Sequence, residues 1–193
     1  MTDTSFSTAN IEDYFGRVQR ALGSVAPAAV ARIAGCFEAT RVASGTIYLC
    51  GNGGSAATAS HAACDLMLFP GPSEPHLRAS VLSDRTPLIS ALSNDFSYAD
   101  AFAEHLRRHA GAADVVVGVS VSGASENVLR ALETGQSRGA QTVGLTGDGT
   151  ARMEAGSDVY VPVPNSSIQA VEDVHMSIFH AVSLSLRHGL RGG

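Results

Sequence analysis

No apolar run in the 193 residues approaches the roughly 20 needed to span a bilayer. Met1 to Asn10 is polar and lacks the basic-then-apolar order of a secretory signal, so a cytoplasmic protein with no membrane partner is expected. Positive charge is also scarce: 13 Lys and Arg stand against 18 Asp and Glu, for a net charge of -5. With no basic stripe to neutralise phosphates along a duplex, nucleic acid is excluded as a partner, and a small anionic ligand would need locally placed donors. Cysteine is sparse too. Cys36, Cys50 and Cys64 form no CxxC pair, and an odd count in a chain of this length is no disulfide framework, so buried free thiols are expected.

What is present is a chain with 45% hydrophobic and 16% charged residues, enough for one compact domain spanning 1–193. Residues 1–10 are expected to be flexible. Ile11 to Leu22 and Val30 to Phe37 carry apolar residues at helical spacing around Pro27, giving two helices within 11–41. An α/β core is expected over 46–188. It opens with the β-rich run Thr46 to Cys50, then Gly51-Asn52-Gly53-Gly54-Ser55, then an Ala-rich helix from Ala56 to Leu68. The spacing next predicts a loop over Pro70 to Pro75, a short strand at Ala79 to Leu82, and helices at Pro87 to Leu92 and Tyr98 to His109 around a polar turn, Ser93-Asn94-Asp95.

The strand-loop-helix order then recurs. Asp114 to Ser120 is an apolar strand, Ser122-Gly123-Ala124-Ser125 a loop, and Glu126 to Arg138 a helix. Strands at Gln141 to Leu145 and Asp158 to Val163, a short helix at Thr150 to Ala155 and a long one at Ile168 to His188 complete the series. Continuous apolar strands alternating with helices argue for a mainly parallel five-stranded sheet covered on both faces, an α/β/α sandwich preceded by two helices. In such folds ligands sit at the carboxyl ends of the strands, where both Ser/Gly loops fall.

In Gly51 to Ser55 the glycines allow close backbone approach, and the helix that follows offers N–H groups and the positive end of its dipole to an oxyanion. The loop is neither GxGxxG nor GxxxxGK[ST] and lacks a P-loop lysine, so a nucleotide is disfavoured. A tight turn that binds nothing fits this loop alone equally well. Ser120, Ser122 and Ser125 tip the balance, because hydroxyls and backbone amides at a second strand end can hold a phosphate without net charge.

These two loops, Cys50-Gly51-Asn52-Gly53-Gly54-Ser55 and Ser120-Val121-Ser122-Gly123-Ala124-Ser125, resemble those of the SIS-domain sugar isomerases over nearly the whole chain. Within that superfamily the chain is most similar to the phosphoheptose isomerases, through Ser93-Asn94-Asp95-Phe96, the two leading helices, and a terminal helix with His175 and His180. The resemblance implies a SIS-type fold and the interconversion of sedoheptulose 7-phosphate with an aldose 7-phosphate. It implies that Ser55, Ser120, Ser122 and Ser125, with Val121 between them, hold the phosphate, and that Asn52, Gly53, Gly54, Asn94, Asp95 and Glu172 line the sugar. It also implies a homotetramer with active sites assembled between subunits.

His61 and Asp65 share a face of the helix after the first loop. The resemblance places Glu172 and His180 against them, giving one zinc held by His61, Asp65, Glu172 and His180, with Asp65 and His180 as the acid/base pair. Two imidazoles and two oxygens suit such an ion. Phosphoheptose isomerases usually carry glutamate where this chain has Asp65 and glutamine where it has Glu172. Asp173, seven residues from His180, competes with Glu172 for the shared face. His105 and His109 flank Arg107-Arg108 and are expected on a solvated face, and His175 as a packed helix histidine. Two other readings stay open: an isomerase of another long-chain ketose phosphate, such as an octulose phosphate, and a non-catalytic SIS-type sugar-phosphate regulator.

Overall fold

A computed structural model describes residues 7–68, 75–164 and 167–189. Helices α1 (Thr8–Gly23) and α2 (Pro27–Val42) lead into β1 (Ile47–Gly51) and α3 (Gly54–Leu68). Then come β2 (Ala79–Val81), α4 (Thr86–Asp95), α5 (Ala101–His109), β3 (Val115–Ser120) and α6 (Glu126–Ser137). The remaining elements are β4 (Gln141–Thr146), α7 (Ala151–Ala155), β5 (Val159–Pro162) and α8 (Ile168–Gly189). The five strands form one parallel sheet in the order β2-β1-β3-β4-β5. The expected strands and their parallel pairing are therefore present.

The order reverses between β1 and β3: from β1 the chain steps to β2 on one side, then returns to β3 on the other. Loops leaving the two strands part there and leave a crevice at their carboxyl ends. In register Gly51 lies beside Val119 and Ser120 beside Thr146, so the Gly and Ser loops emerge at one level.

Side chains alternate between two cores, as the period of a strand requires. Ile47, Leu49, Val115, Val117, Val119, Val143 and Leu145 face α2, α3 and α8, packing on Phe37, Ala59, Leu66, Val174 and Phe179. Tyr48, Cys50 and Val116 face the other way, onto Phe102 and Leu106 of α5 and Val128 and Leu132 of α6. Helices α1 and α2 both pack on α8. No single described helix is long and apolar enough to cross a membrane. The bent α1 and α2 pair meets the length and composition criteria together, at an angle of 69°.

Several local expectations change. Helix α1 begins at Thr8, ahead of Ile11, so residues 8–10 are helical. The loop expected over Pro70 to Pro75 lies mostly outside the described residues. Ser93-Asn94-Asp95 is the last turn of α4 and not a separate turn, because buried Leu92 holds that turn to the core against weak helix propensity. His105 is 5% exposed, on the stripe that α5 buries with Phe102 and Leu106, whereas His109 stays on the solvated face with Arg107 and Arg108 as expected. Burial lowers its pKa to about 4, with its neighbour His109 adding to the effect. Of the thiols only Cys50 is fully buried, its pKa pushed up to about 12, while Cys36 is half-buried and Cys64 exposed. Cys64 lies on the outer face of α3, opposite the core stripe of Ala59, Ala62, Ala63 and Leu66.

Candidate active site

Strand β1 ends where Gly51 passes under α3: a Cβ at that position would sit 2.7 Å from the Ser55 carbonyl carbon. Gly53 has φ +53°, a left-handed conformation that glycine adopts at little cost. The chain thus turns within three residues from strand into helix, and Ser55 is buried in the first turn of α3. The serine loop repeats the device with Gly123 at φ +63°, its carbonyl accepting from the Thr150 hydroxyl at 2.8 Å. Ser120 Oγ lies 3.1 Å from Ser125 Oγ and 3.5 Å from Ser122 Oγ, and Ser122 Oγ accepts from the Ala124 N–H at 3.2 Å.

Between the loops lies a cavity of about 420 Å³ lined by Asn52, Ser55, Ser120, Val121, Ser122, Ser125 and Glu172, with Val119, Asp148 and Ile168. It sits at the starts of two helices and is floored by hydroxyls, an arrangement suited to a phosphate ester. No Lys, Arg or His is among those residues, and two carboxylates are. Gly54 lies directly under the Glu172 carboxylate, which a Cβ at position 54 would strike. Asn94 and Asp95 do not join the lining; they are exposed at the end of α4, with Asn94 Nδ2 donating to Asp95 Oδ1 at 3.1 Å.

A second cluster lies farther along α3 and α8. Asp65 Oδ2 is 3.4 Å from His180 Nε2 and Asp65 Oδ1 is 3.7 Å from His61 Nε2, with the two imidazole rings 5.2 Å apart at 73°. The carboxylate is largely buried, its side chain 13% exposed, while both imidazoles open to solvent. One ligand atom from each residue falls within a 4.8 Å set. Tetrahedral zinc with bonds of about 2.0–2.1 Å needs ligand atoms roughly 3.4 Å apart, so the trio could take three corners once its side chains draw in around an ion.

The fourth expected ligand stands elsewhere. Glu172 is eight residues before His180 on α8, about 12 Å along the axis. Asp173 does not take its place: its carboxylate accepts from the Tyr14 hydroxyl of α1, an attachment that raises the Tyr14 pKa. His175 is fully buried, 3.2 Å from the Thr146 carbonyl through Nε2, and burial lowers its pKa to about 4.

The sequence reading missed Asn127 and Tyr98. Asn127 is 2% exposed, the second residue of α6, and exchanges two hydrogen bonds with Asn52 at 2.9 Å each; the Tyr98 hydroxyl donates to Asn52 Oδ1 at 2.6 Å. An asparagine two residues after the serine loop was the available signal for the first, whereas nothing in the local pattern marks Tyr98, Asp148 or Ile168.

Residues 9–147 match the model of the SIS domain family. A phosphoheptose isomerase from Rhodospirillum rubrum is 35% identical over 159 residues, covering 82% of this chain and 84% of that protein. The structure of phosphoheptose isomerase GmhA from Neisseria gonorrhoeae superposes with a TM-score of 0.82 at 28% identity, over 92% of this chain and 95% of the other. The Vibrio vulnificus NanR protein complexed with ManNAc-6P shares the fold alone, at 16% identity and a TM-score of 0.72, over 97% of this chain and 64% of that one.

Proposed function

Because the chain belongs to the SIS-domain family, among its phosphoheptose isomerases, we propose that it interconverts sedoheptulose 7-phosphate and a D-glycero-D-manno-heptose 7-phosphate-type aldose through an enediol. The observation that carries this reading is the pairing of a hydroxyl-floored cavity with a His61–Asp65–His180 cluster on the two helices that frame it. The cluster favours an enzyme over a sugar-phosphate regulator, which needs the cavity but no acid/base group.

Aldose–ketose isomerisation removes a proton beside a carbonyl and returns it to the neighbouring carbon. Asp65 takes the C–H proton and returns it to the neighbouring carbon, while His180 protonates the carbonyl oxygen and then takes the hydroxyl proton from the other carbon's oxygen, so both groups end as they began. The two lie 3.4 Å apart across the cluster. Ser55, Ser120, Ser122 and Ser125 donate to the remote phosphate, and that binding orients the reacting carbons. A zinc ion held by His61, Asp65 and His180 would polarise a substrate oxygen when bound. Glu172 lines the cavity of its own chain, away from that chain's cluster, so it could serve as the fourth ligand only toward the cluster of another copy. The homotetramer with intersubunit sites that the resemblance implies is the assembly that would bring one copy's cavity to another's cluster. Such an enzyme would work in the cytoplasm.

The test is exchange of solvent deuterium into C1 and C2 of sedoheptulose 7-phosphate, followed by NMR. The unmodified protein should exchange and turn over, while Asp65→Asn and His180→Gln should do neither and melt near the parent temperature. Normal exchange in both variants would remove these residues from the proton path.

A further inference from the structure

The asparagine pair behind the cavity is wired in one sense only, and resting on the isomerase reading above, we infer that Asn127 and Tyr98 are positioning residues that make Asn52 a hydrogen-bond donor to the substrate. The chain of reasoning starts at the backbone. Val128 N–H donates to Asn127 Oδ1 at 3.0 Å, and since a backbone amide can only donate, the oxygen of Asn127 is fixed on that side. Its Nδ2 therefore faces Asn52 Oδ1, and its Oδ1 takes one proton of Asn52 Nδ2, both at 2.9 Å.

Asn52 Oδ1 accepts from Tyr98 as well, at 2.6 Å. A carbonyl oxygen has two lone pairs, and both are now used. One of the two Nδ2 protons is also used. The capacity left on Asn52, which lines the cavity, is a single Nδ2–H. Flipping the amide would set N–H against N–H and oxygen against oxygen at Asn127, so the donor sense is locked by that buried partner, and the Tyr98 hydroxyl, which can donate or accept, follows it.

The cavity lining contains no cationic side chain, so a directed N–H there carries weight. Its partner is an acceptor oxygen of the sugar, the carbonyl of the ketose or the enediolate oxygen that replaces it. Stabilisation grows as charge develops on that oxygen, which places the effect in turnover more than in binding. The phosphate is held by the serine loop and should not sense the change.

The experiment compares the uncharged variants Asn127→Leu and Asn52→Leu with the parent in two assays: sedoheptulose 7-phosphate turnover, and inorganic phosphate binding by calorimetry. A leucine at 127 has the branched outline of asparagine and no polar atom, so nothing there holds the Asn52 amide in its donor sense, while the Val128 N–H keeps the Ser125 carbonyl at 3.0 Å. Loss of one hydrogen bond to a charged oxygen should lower kcat roughly 10- to 100-fold, with phosphate affinity unchanged. Asn52→Leu, at a half-exposed position, removes the donor directly without adding charge and should lower kcat alike; it serves if the buried variant does not fold. Normal kcat in either folded variant overturns the inference. A parallel loss of phosphate affinity also overturns it, because the pair would then merely hold the two loops together. If the parent itself turns over no ketose phosphate, the isomerase reading fails and takes this inference with it.

Discussion

Replacing Glu172 by glutamine should tighten phosphate binding, the opposite of what removing a wall contact ordinarily does. The carboxylate lies over Gly54 in a cavity of about 420 Å³ whose lining holds a second acid, Asp148, and no base. A sphere of that volume has a radius of roughly 5 Å, so a wall carboxylate stands about 6 Å from an anion at the centre, where an effective dielectric of about 40 gives close to 1.4 kcal/mol of repulsion per unit charge. Glutamine has the same size and keeps an acceptor, so the whole of that repulsion is released. Inorganic phosphate should then bind about tenfold more tightly to Glu172→Gln in calorimetry on metal-free protein, and the gain should shrink as salt is raised. Equal or weaker binding by the variant would mean that Glu172 does not face the anion, and the placement of phosphate in this cavity would have to be abandoned.

Ser122→Ala removes a hydroxyl from the serine floor and should weaken sugar-phosphate binding by roughly 1.5–3 kcal/mol, read by the same titration; unchanged affinity would take Ser122 out of the site. His175 should make the fold acid-sensitive. Its Nε2 sits against the Thr146 carbonyl, its Nδ1 has no partner among the described residues, and its pKa is lowered from 6.5 to about 4, so the unfolded chain binds the proton first. Its contribution is intact above pH 6.5 and is lost as pH falls towards 4, on the order of 3 kcal/mol in all. Melting temperatures at pH 7.5 and 4.5 should converge in His175→Gln relative to the parent, and an equal acid-induced drop in both proteins would refute the assignment.

The fold was legible where chemistry is local. Apolar strands running straight into Gly53 and Gly123 mark both strand-to-helix turns, because few other residues tolerate those backbone angles. His61 and Asp65 could be paired from their spacing alone, since residues four apart on a helix share a face. Glu172 could not be placed that way: helical spacing says which face a residue occupies, but a ligand set also requires the same height along the axis, and Glu172 stands two turns from His180. His105 failed for the converse reason. Its charged neighbours suggested a wet surface, while the stripe from Phe102 to Leu106 that carries it inward becomes visible only with the sheet it covers. Asn127 pairs with a residue 75 positions away, a separation at which a single sequence carries no pattern.

Helices α1 and α2 rest on α8, with Ile33, Phe37 and Ala21 in the same apolar core as Val174, Ile178 and Val182. During synthesis the first two helices leave the ribosome well before α8 exists. Strands β1 and β2, and then β3, β4 and β5, neighbour one another in sequence as in the sheet, so each group can assemble through its own crossovers before β1 joins β3. Until α8 is made, the N-terminal pair therefore carries an apolar face without the helix that covers it. Chain order thus leaves that apolar face open to association with other chains until α8 closes over it, although the sheet could form early.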